Sequence, residues 1–266
     1  MKRVGLKSQK FFKRWQRHLE DYLNSVALRL EETAKTAEAE SIHQLRVSIR
    51  RTRVMIHLGP FICGKSNAEK FHAWSKRVAD TVGRVRDYDI AIDWLRGQSA
   101  GAQLIAQVEQ RRVRLWRAAS RRLTPIPMTL RDAFFDLDPG VRKRNLLKKR
   151  FVEWNQELRD GILGDVGKLR KLGIEDQHEL RRWLRRLRYL IEMVLGRRKQ
   201  KRDRYLRQLI RLQRALGEMQ DRIVVDDILQ RLKATPRIRA LRNKLIQERT
   251  SWLYKAEHEL ITLARL

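Results

Sequence analysis

Apolar residues recur at every third or fourth position along most of this 266-residue chain, and this spacing constrains the fold more than any other feature. Leu45, Ile49, Thr52 and Ile56 fall on one stripe, for example. This is the period of an amphipathic α-helix, and no segment alternates convincingly between apolar and polar residues as a strand would. The sequence therefore predicts an all-α fold.

Glycine and proline, only 13 and 5 in number, cluster where helices should end. The main clusters are "GPFICGKSN" at 59–67, "TPIPMTL" and "DLDPG" within 124–140, and "KATPR" at 233–237. The predicted helices span about 8–38, 41–58, 67–86, 88–97, 101–123, 143–170, 175–196, 202–219, 222–233 and 237–264. Helices of this length are typical of antiparallel bundles.

Two motifs recur in the same order, which indicates an internal duplication. "HQLRVSIRRTR" at 43–53 and "HELRRWLRRLR" at 178–188 agree at six of eleven positions. "GRVRDYDIAIDWL" at 83–95 and "GEMQDRIVVDDIL" at 217–229 share Gly83/Gly217 and Asp87/Asp221. The sequence thus predicts two pseudo-symmetric helical bundles, residues 1–135 and 136–266, joined at the break within 124–140.

The chain carries 61 Lys and Arg against 31 Asp and Glu, a formal charge of +30. Because 42% of its residues are hydrophobic, it has enough apolar surface for a core and is not a disordered basic tail. A surplus of positive charge of this size points to a polyanionic partner: nucleic acid, an acidic membrane surface or polyphosphate. One cysteine, no signal-peptide pattern and no long apolar run favour a cytoplasmic protein without a membrane span.

Arginines of the first repeated motif form a ridge on the helix face opposite its apolar stripe. At about 100° per residue, His43, Arg46, Arg50 and Arg53 lie close together, whereas Arg51 lies about 80° to one side. His178, Arg181, Arg185 and Arg188 form the same ridge in the second motif, with Arg182 and Arg186 on its flanks. We call these the first and the second ridge.

The ridges have two interpretations. A solvated helix face usually interleaves acids with bases, but no acid occurs between Glu40 and Glu69 or between Glu179 and Glu192. Like charges four residues apart each cost about 0.2–0.5 kcal/mol, which a bound anion would offset. Guanidinium groups also match phosphate oxygens in pairs. An anion site is therefore favoured over an ordinary solvated face.

The remaining candidate residues have competing roles. His43 and His178 either donate to an anion when protonated or act near the helix start as caps or supporting groups. Metal ligation is not expected, because arginines repel a cation and no ligand spacing is present. Asp87 and Asp221 either cap a helix after a glycine break or hold an arginine in position. Arg77 and Arg211, six residues before each glycine, are expected to extend the basic surface.

The paired "HxxRxxxRRxR" ridges, each followed by a glycine and an aspartate, resemble the CHAD domain, the conserved histidine α-helical domain. The resemblance covers essentially the whole chain. It implies two helical bundles with a basic cavity between them, and binding of inorganic polyphosphate, including at polyphosphate granules. The implied ligand contacts are His43, Arg46, Arg50, Arg51, Arg53, His178, Arg181, Arg182, Arg185, Arg186 and Arg188. "EMQD" at 218–221 matches the second motif less well than "RVRD" at 84–87.

We therefore expect a polyphosphate-binding protein without enzymatic activity or cofactor. Nucleic-acid binding is the first alternative, since net charge favours it equally, but no reading module or aromatic stacking platform is evident. The second alternative is an enzyme that processes phosphate chains. It is disfavoured because phosphate hydrolysis usually employs a metal held by carboxylates, and the ridges contain none.

Overall fold

The computed structural model describes residues 7–266, which confirm the all-α prediction: they form eleven α-helices and one 3-10 turn, with no strand. The helices are α1 Ser8–Thr36, α2 Ala39–Leu58, α3 Pro60–Cys63, α4 Lys65–Gly97, α5 Ala102–Ser120, α6 Met128–Asp132, α7 Val141–Gly164, α8 Ile174–Val194, α9 Arg197–Arg202, α10 Arg204–Gln230 and α11 Pro236–Ala264. The 3-10 turn spans Leu169–Lys171. Among these residues, no helix is long and apolar enough to cross a membrane.

Of the described residues, the first compact unit contains 7–82, Ala119–Glu157 and Tyr189–Gly196. Its core is built on α1, whose buried side chains are spaced three or four residues apart and face α2. Trp15 of α1 donates a hydrogen bond from Nε1 to the carbonyl oxygen of Met55, 2.9 Å away. Gly59 ends α2 in a confined space, since an added Cβ would lie 2.8 Å from Trp15 Cζ2. Packing therefore requires glycine at this predicted helix end.

The second compact unit contains Gly83–Ala118, Leu158–Arg188 and Arg197–Leu266. One cluster of its core joins the C-terminal part of α4 with α5, α10 and α11. The helix start predicted near residue 237 is confirmed, since α11 begins at Pro236; the Thr235 hydroxyl accepts a hydrogen bond from the backbone amide of Ile238 at 3.2 Å. Proline suits this position because the first helical amide has no acceptor within the helix.

The helix breaks predicted near residues 87 and 220 are wrong. α4 runs unbroken through Gly83 and Asp87, and α10 runs unbroken through Gly217 and Asp221. A glycine inside a helix costs about 1 kcal/mol relative to alanine, which the burial of neighbouring apolar side chains outweighs. Val82, Val85, Leu216 and Met219 are all buried.

The sequence division into repeats 1–135 and 136–266 stays a prediction, as does the duplication itself. Each compact unit draws residues from both halves of the chain. The predicted break within 124–140 is an irregular connection that contains only the five-residue helix α6. The units of packing therefore do not coincide with the two halves of the sequence.

Candidate functional site

The first ridge lies on α2, in the first compact unit, and two of its arginines are anchored on α4. Arg46 donates from Nη1 to the carbonyl oxygen of Ala79 at 2.8 Å. Arg53 donates from Nε to the hydroxyl of Ser75, also at 2.8 Å. Ser75 and Ala79 are one helical turn apart, so α4 supports the ridge along its length. The apolar stripe of α2 is buried, as predicted.

Arg50 and Arg53 each keep a hydrogen-bond donor that the described part of the protein does not use. Arg50 Nε and Arg53 Nη2 are buried, and neither has an acceptor among the residues that the structure describes. Burial lowers the pKa of Arg53, and the charge of Arg50 lowers it further, whereas Asp80 opposes this shift. A buried donor without an acceptor costs about 1–3 kcal/mol, so an oxygen-rich anion that reorients these side chains would be stabilised here.

Arg51 is directed away from the ridge, as its helical angle suggests. Its guanidinium carbon lies 5.5 Å from the ring centre of Tyr22 and 5.3 Å from that of Tyr189. Arg51 Nη2 also forms a 3.2 Å ion pair with Oε2 of Glu192, which is buried. Cation–π contacts and an ion pair account for this charge within the first unit. Arg51 is therefore a packing residue, and we leave it out of the candidate site.

The second ridge lies on α8, in the second compact unit, and packs against α10. Arg188 Nη1 is 3.5 Å from Oε1 of Gln213. Arg181 Nη2 lies 3.7 Å from where a Cβ on Gly217 would be, which is an ordinary van der Waals distance, so the guanidinium lies beside this position of α10. Arg185, between them, is half-buried on the same helix face. The two ridges are therefore supported in the same way: α2 packs on α4, and α8 packs on α10, in each case a long helix that follows in sequence.

Asp221 supplies a negative charge near Arg181 and does not cap a helix. It lies one turn after Gly217 within the unbroken α10, which makes the capping interpretation wrong. Burial raises the pKa of the Asp221 carboxyl, and the positive charge of Arg181 pulls it down. The glycine–aspartate spacing of four therefore puts a gap and a countercharge on one helix face. Asp87 is likewise inside α4, so it is not a cap either.

The flanking arginines of the second ridge are partly compensated by Glu179. Arg182 forms an ion pair with this carboxylate one turn earlier on α8, and Arg186 Nη1 lies 3.6 Å from its Oε1. Burial, followed by the charge of Arg182, lowers the pKa of Arg186. The i,i+3 spacing of Glu179 and Arg182 was visible in the sequence. The two flanking residues therefore contribute less unbalanced charge than the ridge itself.

The structure does not bring Arg77 and Arg211 to the ridges. Each is exposed. Arg77 lies two residues from both Ser75 and Ala79, and residues two apart on a helix do not share a face. Arg211 likewise lies two residues from Gln213 on α10. That these two arginines extend the basic surface stays a prediction, and their exposure is compatible with it.

The two histidines lie in the second turn of their helices, which excludes the N-cap position for both. His43 and His178 are half-buried. Burial lowers the pKa of His178, and the charges of Arg182, Arg185 and Arg181 lower it further. His178 is therefore neutral at pH 7 in the unliganded protein. A bound anion would reverse this electrostatic effect and favour the protonated ring.

Several supporting residues could not be found from the sequence. Ser75, Gln213 and Glu192 carry no motif, and they contact arginines 22, 25 and 141 residues away. Only the packing of α4 and α10 against the arginine helices, and of Tyr22 and Tyr189 around Arg51, identifies these contacts.

Two comparisons with known proteins found similarity to this chain. The family model of the CHAD domain matches residues 13–230. The crystal structure of the CHAD domain from the plant Ricinus communis superposes with a TM-score of 0.70 at 20% identity, covering 93% of this chain and 90% of that one. PptA from Streptomyces chartreusis superposes with a TM-score of 0.71 at 16% identity, covering 96% and 99%. No curated protein sequence matches significantly. The family match covers most of the chain, and the protein therefore belongs to the CHAD domain family.

Proposed function

We propose that this protein binds inorganic polyphosphate through the arginines of its two ridges. The observation that carries the proposal is the unused hydrogen-bonding capacity of Arg50 and Arg53, on a helix segment whose own sequence carries no acid between Glu40 and Glu69. Phosphate oxygens are the acceptors that guanidinium groups bind best, often with two parallel hydrogen bonds. Family membership supports the same ligand class, since CHAD domains are associated with polyphosphate binding.

A linear chain suits a ridge better than a compact anion does. Residues 43–53 and 178–188 each extend about 15 Å at about 1.5 Å per residue. A flexible chain of phosphates can follow several arginines along such a length and release counterions at each one. That both ridges line one cavity and contact one chain stays a prediction.

We propose binding without turnover, in the cytoplasm and at polyphosphate granules. Phosphate hydrolysis usually employs divalent cations next to the phosphates, and clustered arginines repel such ions. A phosphate-release assay with magnesium or manganese tests this directly. Sustained release of orthophosphate that a ridge variant abolishes would show an enzyme instead.

The binding test compares two double variants with the same change in net charge. Arg50→Gln with Arg185→Gln removes the centre of each ridge, whereas Arg121→Gln with Arg239→Gln removes two exposed arginines elsewhere. Calorimetric titration with long-chain polyphosphate should show at least a tenfold loss of affinity for the ridge variant and less than about twofold for the control. Equal losses in the two variants would mean diffuse attraction to a +30 protein and not a site.

Nucleic acid remains the principal competitor to be tested. Duplex DNA should be displaced by long-chain polyphosphate at matched phosphate concentration, because a rigid duplex cannot follow half-buried arginines. The affinity for polyphosphate should also fall steeply with salt, with a log–log slope that is smaller for the ridge variant. Displacement of polyphosphate by DNA would favour the nucleic-acid alternative.

A further inference from the structure

A cavity of about 580 Å³ opens beside the C-terminal end of α2, in the first compact unit. It lies between the last turn of α2, the short helix α3 and the first two turns of α4, with Arg150 of α7 on its edge. Gly64, in the left-handed region at φ +85°, makes the turn that leads α3 into α4 and shapes this cavity. Its volume is within the range of small-molecule sites.

The floor of the cavity is apolar, whereas the ridges consist of histidine and arginine side chains. Ile56 and Phe71 are buried beneath it, and Pro60, Phe61 and Ala68 also line it. Phosphate oxygens placed against these side chains would lose water without gaining hydrogen bonds, which is unfavourable. A flat apolar group would instead displace water from the same surface. Inorganic polyphosphate alone therefore does not match this floor.

The rim of the cavity is cationic. Arg53, Lys65 and Arg150 line it against one carboxylate, Glu69. Arg53 carries the buried Nη2 that has no acceptor among the described residues. Burial and neighbouring positive charges lower the pKa of His72, so this lining residue is neutral at pH 7. Three cations therefore face one anion, and an apolar ligand without negative charge would leave them unbalanced.

We propose that this cavity binds a phosphate ester that carries a flat aromatic group, the chemical class of the nucleoside di- and triphosphates. The aromatic group packs on the apolar floor near Phe61, and the phosphates reach Arg53, Lys65 and Arg150. This site shares Arg53 with the first ridge but differs from it by the apolar floor, and it would exist even if the ridges bound another polyanion.

The test compares ATP with inorganic tripolyphosphate, which supplies a similar phosphate chain without an aromatic group. Titrations are done at one fixed salt concentration in the presence of a chelator. ATP should bind at least tenfold more tightly than tripolyphosphate, since burying a base against the floor contributes more than about 1.4 kcal/mol. Equal affinities would overturn the proposal.

Two substitutions on α4 locate the binding. Ala68→Trp fills the cavity and should bring the affinities for ATP and tripolyphosphate within about twofold of each other. Ala73→Trp adds the same bulk at an exposed position outside the cavity and should keep the preference. Long-chain polyphosphate should bind all three proteins equally. If Ala68→Trp keeps the full preference for ATP, the cavity is not the site.

Further variants keep the test decisive if Ala68→Trp fails to fold, as judged by its helical circular dichroism. Phe61→Ser removes part of the wall and should also abolish the preference for ATP. Lys65→Gln, at an exposed position, should weaken ATP and tripolyphosphate alike. The double variant Arg50→Gln with Arg185→Gln should lose polyphosphate affinity and keep the preference for ATP. Loss of that preference in the double variant, with retention in Phe61→Ser, would place ATP on the ridges and overturn the cavity proposal.

Discussion

The helix that carries the second ridge is held by a close contact between Gly161 of α7 and Trp183 of α8. A Cβ added at Gly161 would lie 2.5 Å from Cζ3 and 2.8 Å from Cε3 of the indole. Neither distance is tolerated by carbon atoms, so the indole or α8 must shift. Overpacking of this kind costs about 1–3 kcal/mol. Gly161→Ala should therefore destabilise the fold, although alanine by itself favours a helix by up to about 1 kcal/mol.

Gly164 offers a matched control on the same helix. A Cβ added there meets no atom within 4 Å, so Gly164→Ala changes helix propensity without a clash. The difference between the two changes in unfolding free energy cancels most of the effect of helix propensity and leaves the effect of the contact with Trp183. The two variants should differ in unfolding free energy by about 1–3 kcal/mol, with Gly161→Ala the less stable. For a chain of this size, that corresponds to a difference in Tm of about 2–12 °C.

Urea unfolding followed by circular dichroism at 222 nm measures this difference, and tryptophan fluorescence reports on the indole. The two variants should have the same m-value, since neither changes the surface that unfolding exposes. If both substitutions raised the Tm by the same amount, Trp183 would not pack on Gly161, and the placement of α8 described above would be wrong.

Three further predictions concern the ridges. In the free protein the pKa of His178 lies below its ordinary value of 6.5, and bound phosphate raises it, so binding takes up a proton. Polyphosphate affinity should therefore rise as the pH falls from 7.5 to 5.5, by up to about tenfold per pH unit. The affinity of His178→Asn should depend less on pH. The same pH dependence in both proteins would refute this linkage. Gly217→Ala should bind polyphosphate normally and melt no lower than the natural protein, because 3.7 Å from Arg181 is an ordinary contact. A marked loss of binding would show that the arginine has less room than described. Arg51→Gln should lower the Tm by at least about 2 °C with little change in polyphosphate affinity, whereas Arg50→Gln should lower the affinity with little change in Tm. Thermal melting and polyphosphate titration of these two charge-matched variants measure both effects. If Arg50→Gln lowered the Tm and Arg51→Gln lowered the affinity, Arg50 would be the packing residue and Arg51 the ligand-binding residue.

The sequence predicted the helices and the ridges because both depend on local periodicity. The stripe from Leu45 to Ile56 is buried, and the ridge residues on α2 and α8 remain partly exposed on another face. A helix imposes its angular spacing on any sequence that forms it, so these faces follow once the helix is established. The family resemblance, carried by the same residues, was confirmed over residues 13–230.

The sequence failed where local preference competed with packing. Gly83 and Gly217 favour a break, but α4 and α10 continue because their neighbours are buried. Asp87 and Asp221 therefore could not be caps. Once α10 is continuous, Gly217 and Asp221 share a face beside Arg181, and Asp221 supplies a negative charge near that arginine.

By itself, the amino-acid order determined the fold class, the two arginine-rich helices and the excess of positive charge. Only tertiary structure decided which charges are already balanced. Arg50 and Arg51 are adjacent and chemically identical, yet Arg51 forms an ion pair with Glu192, 141 residues away, whereas Arg50 forms no ion pair among the described residues. Periodicity places a side chain on a face of its own helix, but the partner on that face comes from distant segments whose positions depend on how the helices pack.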